Sequence, residues 1–264
     1  MNRDAAGKSV FLCRIFFECL TMNLVQHPSG IQWYNAGQIA VPHAFFLRHG
    51  GVSPTPCDAL NFSGSLDEEE NVKENRRRAF DALGWDIEKA AYLKQIHSTI
   101  ICDAESGQQE GDALVTNKKG IPIAVSGADC FPVLFHDPVI SVIAAAHCGW
   151  KGTINRLAGK VILRMQELNC KPEHIHVAIG PGISRMAYEV SPELIDQFRE
   201  AGFSDHSFSG RHLDLAQCIR QNLMESGISE AHIQTLARCT TDADFFSHRR
   251  DNGRTGRLWS VICL

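Results

Sequence analysis

The chain has no apolar run long enough to cross a bilayer, no basic surplus and no two cysteines in a CxxC pair. The first absence argues against a membrane helix, since a span needs about 20 apolar residues. The second argues against nucleic acid as a partner: the formal net charge is −4, and affinity for phosphate backbones rests on clustered Lys and Arg. The third removes the zinc-ribbon and disulfide-framework patterns. A long Pro/Ser/Gly linker, low-complexity tracts and short-period repeats are also lacking, so the sequence offers no place to cut it into independent domains.

What remains is an ordinary globular balance, 44% apolar and 21% charged over 264 residues, enough for one substantial core. The 10 cysteines are scattered and read as reduced, mostly buried thiols in a cytoplasmic protein. Near the start, residues 9–20 are largely apolar and follow Arg3 and Lys8. Arg14 and Glu18 interrupt that stretch, which argues against a secretory leader. Residues 1–22 therefore read as an N-terminal extension outside the core, and residues 23–264 as a single domain.

Several helices are legible. Asp67 can cap a helix whose first turn is Glu68, Glu69 and Glu70, acids suited to the positive end of its dipole, and Gly84 suits its end. Thr153 reads as the cap of a helix whose apolar residues 154, 157, 158, 161, 162, 165 and 168 keep the helical period. Ser191-Pro192 opens another that Gly202 closes, and residues 214–227 read as a fourth. Short apolar runs at 121–125, 131–135, 139–146, 175–179 and 258–263 read as strands. Tight turns between consecutive strands point to α+β with a mixed sheet.

The chemistry concentrates between Ala128 and Thr153. Two apolar strands flank His136-Asp137-Pro138, and a loop at Pro138-Val139 would set Cys130 opposite His147. Direct cross-strand neighbours have Cβ atoms about 5 Å apart, close enough to share a metal ion. A one-residue slip would put the two on opposite faces. His97, in Gln95-Ile96-His97-Ser98, is a candidate third ligand. Three protein ligands leave one tetrahedral position open, the catalytic zinc pattern, and such sites supply hydroxide near neutral pH. By spacing alone a satisfied surface or core histidine is the favoured reading of His97, and a plain buried thiol that of Cys130. Adjacent strand residues alternate faces, so Cys148 is expected to point away from any metal at His147.

Two segments suit anions. Cys148-Gly149-Trp150-Lys151-Gly152-Thr153 runs from a strand end into a helix start, where amides and Lys151 can meet a phosphate. Arg48 adjoins Gly50-Gly51, and its guanidinium can clamp a phosphate or form a salt bridge at a turn. Asp129 fits either an orienting partner for a ligand or a turn cap.

These blocks together resemble the YfiH-like, laccase-domain family. The resemblance rests on Arg48-His49-Gly50-Gly51-Val52-Ser53, Leu60-Asn61-Phe62, Gln95-Ile96-His97-Ser98, Gly111-Asp112-Ala113-Leu114-Val115-Thr116, Ala128-Asp129-Cys130 and Ala146-His147-Cys148-Gly149-Trp150-Lys151-Gly152-Thr153. Ile179-Gly180-Pro181-Gly182-Ile183, Tyr188-Glu189-Val190 and Phe245-Phe246-Ser247-His248-Arg249-Arg250 complete it, from about residue 24 to the end. It implies a four-layer α/β/β/α sandwich similar to the catalytic domain of cytotoxic necrotizing factor, and a zinc site on His97, Cys130 and His147. It further implies a purine nucleoside phosphorylase that also deaminates adenosine and cleaves methylthioadenosine, with nucleoside and phosphate as partners. Arg48, Asn61 and Lys151 become the candidate substrate or phosphate contacts, and Arg48, His97, Cys130 and His147 the catalytic set.

The family also implies two rival activities. One is a cysteine hydrolase editing peptidoglycan precursors, with Cys130 as nucleophile and His147 as base. The other is copper-dependent polyphenol oxidation, for which histidines are few: the single HxH is His174-Ile175-His176. Three positions depart from the family pattern, Cys148 for alanine, Lys151 for arginine and His248 for tyrosine.

Overall fold

The computed structural model describes residues 22–264. The readings made for residues 1–21 lie outside the described residues. Met22, assigned above to the extension, is the first residue of a strand.

Two mixed sheets carry the fold. The first runs in the order β1 (Met22–Gln26), β2 (Gln32–Ala36), β3 (His43–Phe46), β15 (Leu258–Ile262), β8 (Ile123–Gly127), β4 (Ala91–Lys94) and β6 (Gly107–Glu110). The second runs β14 (Ile233–Thr235), β11 (His176–Ile179), β9 (Phe131–Asp137), β10 (Val142–Cys148), β7 (Ala113–Thr116) and β5 (Ile101–Asp103). A small ribbon pairs β12 (Phe208–Ser209) with β13 (His212–Leu213). The β4–β6, β4–β8, β5–β7 and β11–β14 pairs are parallel and the others antiparallel. Among the described residues five α-helices surround them: α1 (Glu69–Leu83), α2 (Trp150–Ile154), α3 (Leu157–Glu167), α4 (Pro192–Glu200) and α5 (Leu215–Glu225).

Strand alternation sorts the side chains into three cores, and hence four layers. In β9 and β10, Phe131, Val133, Phe135, Val142, Ala144, Ala146 and Cys148 face α3, α4 and α5. Leu134, Ile143 and Ala145 face the other way, into the core shared with Phe45, Ile123, Val125 and Ile262 of the first sheet. Ala44, Phe46, Ala124, Trp259 and Val261 face outward under Ala79 and Phe80 of α1. The observed architecture is the α/β/β/α sandwich implied by the resemblance. No helix among the described residues is long and apolar enough to cross a membrane.

Three local expectations need correction. Glu68, not Asp67, is the N-cap of α1. Asp67 instead accepts bonds from Glu68 N, Asn71 and Asn61. The helix expected from Thr153 is two helices, because Arg156 adopts a left-handed φ of 61°. There its guanidinium stacks 3.8 Å over Phe203 and bonds Glu225. The hairpin loop spans residues 138–141, with Asp137 Oδ1 accepting from Val139 N and Ile140 N. His147 therefore pairs with Pro132, and Cys130 lies just beyond the ladder. The shift is two residues, so Cys130 and His147 stay on one face.

Asn75 of α1 ties this helix to the loop that follows β3. It is fully buried. Its Oδ1 accepts from Val52 N, and its Nδ2 donates to Ser53 Oγ, Ala59 O and Asn61 O. Asn75→Ala orphans several buried groups at once and is expected to cost about 3 kcal/mol. Urea unfolding checks this: the midpoint should fall while the slope stays constant.

Candidate metal centre

The ends of β9 and β10 and the loop after β4 meet at one point. There the donor atoms of His97, Cys130 and His147 all lie within 4.8 Å of one another. The two imidazoles are edge-on, 4.9 Å between centroids. Gly149 allows this approach: a Cβ built there would stand 2.7 Å from the Cys130 sulfur and 3.4 Å from His97 Cδ2. His147 is buried, Cys130 half-buried and His97 exposed, so the group opens to solvent on one side.

Asp112, fully buried just before β7, organises the three. Its Oδ1 accepts from His147 Nδ1 at 2.9 Å and from His97 N at 3.1 Å. Its Oδ2 accepts from Ser98 Oγ, Ser98 N and Ile96 N. With Nδ1 bonded to the carboxylate, His147 Nε2 is the atom left for an ion, the arrangement that fixes tautomer and raises ligand basicity. Burial pushes the Asp112 carboxyl up, but the bonds from His147 and Ser98 outweigh it and hold it at about 2. Burial also pushes the Cys130 thiol up, and the His147 and His97 imidazoles overcome this and bring it down. His147 moves the opposite way: burial lowers it, and Cys130 with Asp112 raises it further. Both shifts favour a thiolate at Cys130 facing a protonated imidazole at His147. Two imidazoles, a thiolate and an open fourth direction fit a zinc ion well.

The triad opens into a cavity of about 720 Å³ whose walls include Tyr92, Asp129, Trp150, Tyr188, Arg76, Arg257 and Trp259. A model of a family described as multi-copper polyphenol oxidoreductase laccase matches residues 42–264. A Deinococcus radiodurans protein named purine nucleoside phosphorylase is 44% identical over 239 residues, 89% of this chain and 94% of that one. Purine nucleoside phosphorylase YlmD of Bacillus subtilis is 32% identical over 83% of this chain and 86% of its own. The crystal structure of YlmD from Geobacillus stearothermophilus superposes with a TM-score of 0.86 at 30% identity, covering 92% of this chain and 99% of that one. Bacillus licheniformis YfiH, at 28% identity, gives 0.84 over 91% of this chain and 98% of its own. The chain belongs to the laccase-domain, YfiH-like family.

Within this laccase-domain chain the three anion contacts chosen from sequence do not line the cavity. Arg48 is engaged elsewhere: it bonds Asp58 O, pairs with Asp58 Oδ2 at 3.1 Å and stacks 4.6 Å over Phe246. Asn61 is fully buried, donating to Ser63 O and Asp67 and accepting from Ser63 N and Arg257 N. Lys151 is exposed, its Nζ 5.6 Å from the Trp150 ring centroid. Cys148 faces the helix layer, and burial pushes its thiol far up. Asp129 is a tether: Oδ1 accepts from Thr240 Oγ1 and Oδ2 from Arg249 N.

Sequence reasoning missed Asp112, Arg76 and Arg257. Asp112 sits inside a quoted family block, but an acid after glycine before a strand reads as a turn. Arg76 lies between Tyr92 and Trp259, 4.7 Å from each ring centroid, with its Nε unpartnered among the described residues. Arg257 lies near enough to Cys130 and Asp129 for both charges to act on it, although burial is the larger effect and lowers its pKa. The side-chain hydrogen bonds of Arg76 and Arg257 run to the backbone carbonyls of Phe62, Thr255 and Gly256.

Two substitutions test the construction of the centre. Asp112→Ala removes the brace on His147 and is expected to weaken metal binding by roughly 10- to 100-fold. Gly149→Ala crowds the Cys130 sulfur and should lower the metal content of the purified protein. Equilibrium dialysis against a chelator of known affinity measures both. Unchanged affinity in Asp112→Ala would show that the carboxylate serves the fold alone.

Proposed function

We propose that this protein is a zinc-dependent purine nucleoside phosphorylase, with adenosine, inosine and methylthioadenosine as substrates and adenosine deamination as a second activity of the same cavity. The carrying observation is the His97–Cys130–His147 group opening into a cavity that also holds Arg257. The names borne by its relatives, purine nucleoside phosphorylase, supply the reaction class.

In phosphorolysis a phosphate oxygen bonds to C1′ of the ribose while the bond from C1′ to the purine breaks. The base leaves with the bonding pair and takes up a proton. Arg257, beside the thiolate and without a salt bridge among the described residues, is the first contact for the phosphate. Arg76, held between two rings on the cavity wall, is the second. These replace Arg48 and Lys151 as phosphate contacts. Trp150 and Tyr188 offer apolar faces for a purine. Zinc, when bound by His97, Cys130 and His147, would supply a Lewis acid in the cavity wall. His147, oriented by Asp112, and His97 hold that position.

One rival has its own support. A thiolate beside an imidazolium is also the starting state of a cysteine hydrolase, so amide cleavage by Cys130 competes for the same atoms. Copper oxidation of phenols has the family model's description behind it, but the described residues contain a single group of three such donors within 4.8 Å.

His147→Ala is expected to abolish both nucleoside reactions. Arg257→Ala removes a charge-assisted hydrogen bond worth about 1.5–3 kcal/mol. That is roughly 10- to 150-fold in phosphorolysis at limiting phosphate, with a smaller effect on deamination. Product analysis from adenosine separates them: adenine with ribose 1-phosphate reports phosphorolysis, inosine reports deamination. Equal losses in both reactions would make Arg257 a nucleoside or structural contact. If metal-loaded wild type makes neither product yet hydrolyses a peptidoglycan-precursor amide, the hydrolase reading replaces this one.

A further inference from the structure

A second group of imidazoles lies at the opposite end of β9. His136 is on the inter-sheet face, as Leu134 and Cys130 are, about 20 Å along the strand from Cys130. Its direct partner across the ladder is His176 of β11. His232 immediately precedes β14, whose Ile233 pairs in parallel with Val177, so His232 continues the row. The rings of His176 and His232 are 4.3 Å apart between centroids, closer than the 4.9 Å between His97 and His147. Two adjacent strands and the turn leading into a third thus bring three imidazoles to one edge of the layer between the sheets.

All three have a buried Nδ1 with no hydrogen-bond partner among the described residues. Gln234 Nε2 and Gln38 Oε1 are also unpartnered among the described residues, and the backbone N of Gln38 donates to Gln234 Oε1. Buried polar groups without partners are costly, and an apolar side chain at position 136 would fill this layer as Leu134 does. The facing histidine of the first sheet is already committed: His43 Nε2 accepts from Ala36 N and its Nδ1 donates to Val41 O. His136 is held neutral, burial bringing it down to about 4, and burial lowers His176 as well. Neutral imidazoles bind metal without first losing a proton. His136 is buried while His176 and His232 are half-buried, which gives an ion a route in from the edge.

We propose that His136, His176 and His232 form a second metal site, specific for a divalent late-transition ion such as zinc or copper(II). Imidazole nitrogen is the donor such ions share. The three donors are not gathered as closely as those of the first centre, so binding turns at least one ring about its side-chain torsions. The inference is independent of the nucleoside reading.

Cobalt(II) titration of the metal-free full chain tests it, because cobalt reports its ligands. The first centre contains a thiolate and gives a sulfur-to-cobalt charge-transfer band; an all-imidazole site gives ligand-field bands without it. Wild type should take up two equivalents, one of each kind. His136→Leu, which keeps the layer filled, and His232→Gln, at a half-exposed position outside the ladder, should each lose the imidazole equivalent while keeping the thiolate band and wild-type nucleoside turnover. Cys130→Ser should do the reverse in the spectrum. Uptake of one equivalent by wild type overturns the proposal, and so does a second equivalent that survives in both histidine variants.

Discussion

A buried carboxylate holds this molecule's chemistry together. Asp112 has no exposed surface, and a charge so placed is tolerated only when donors surround it. Those donors come from two segments distant in sequence: the loop of Ile96, His97 and Ser98, and the end of β10 at His147. The backbone joins in, His147 N donating to Asp112 O and Asp112 N to Ile100 O. Satisfying one carboxylate therefore fixes the His97 loop against the second sheet. It also accounts for the left-handed φ of 58° at His97, a conformation a non-glycine residue adopts when its surroundings impose it.

Much of the frame was legible because strand chemistry is periodic. Alternation decides that Cys130 and His147 share the inter-sheet face while Cys148 joins the helix layer, and this survives a wrong guess about the turn. The assumed loop was two residues too short, an even error, so no side chain changed face. Ser191 and Pro192 specify the start of α4 by local chemistry alone, the Ser191 hydroxyl accepting from Leu194 N. The break at Arg156 was not legible, since the apolar period runs unbroken through it. Its cause is tertiary: a guanidinium held by Phe203, Glu225 and Ala201 O.

The anion contacts show the same division. Arg48 beside a glycine pair has the local look of a phosphate clamp, and only the folded chain reveals Asp58 and Phe246 occupying it. Arg76 is hidden in Arg76-Arg77-Arg78, a run that reads as a solvated helix face. Arg77 and Arg78 do behave that way, pairing with Glu74 and Asp81. Arg76 is at a different angle on α1, in step with Val72, Ala79 and Phe80, and is carried inward between Tyr92 and Trp259. One step of 100° around a helix separates a surface ion pair from a cavity-lining cation.

Charge at the centre then links its two proposed ligands. The shifts favour a thiolate at Cys130 and a protonated His147, which with the Asp112 carboxylate leaves the group net negative near Arg257. A phosphate dianion approaching Arg257 meets the Cys130 thiolate at close range, where repulsion is weakly screened. A divalent cation held by His97, Cys130 and His147 would take the place of the proton on His147 Nε2 and offset the thiolate charge, bringing the same group to neutrality. Arg257 would then be left with the weaker influence of Asp129 and be more available to phosphate. On the proposed reading, occupancy of the triad and phosphate affinity are therefore coupled, although no residue is shared between the two contacts. The coupling is reciprocal by linkage, so phosphate in turn holds the metal in place.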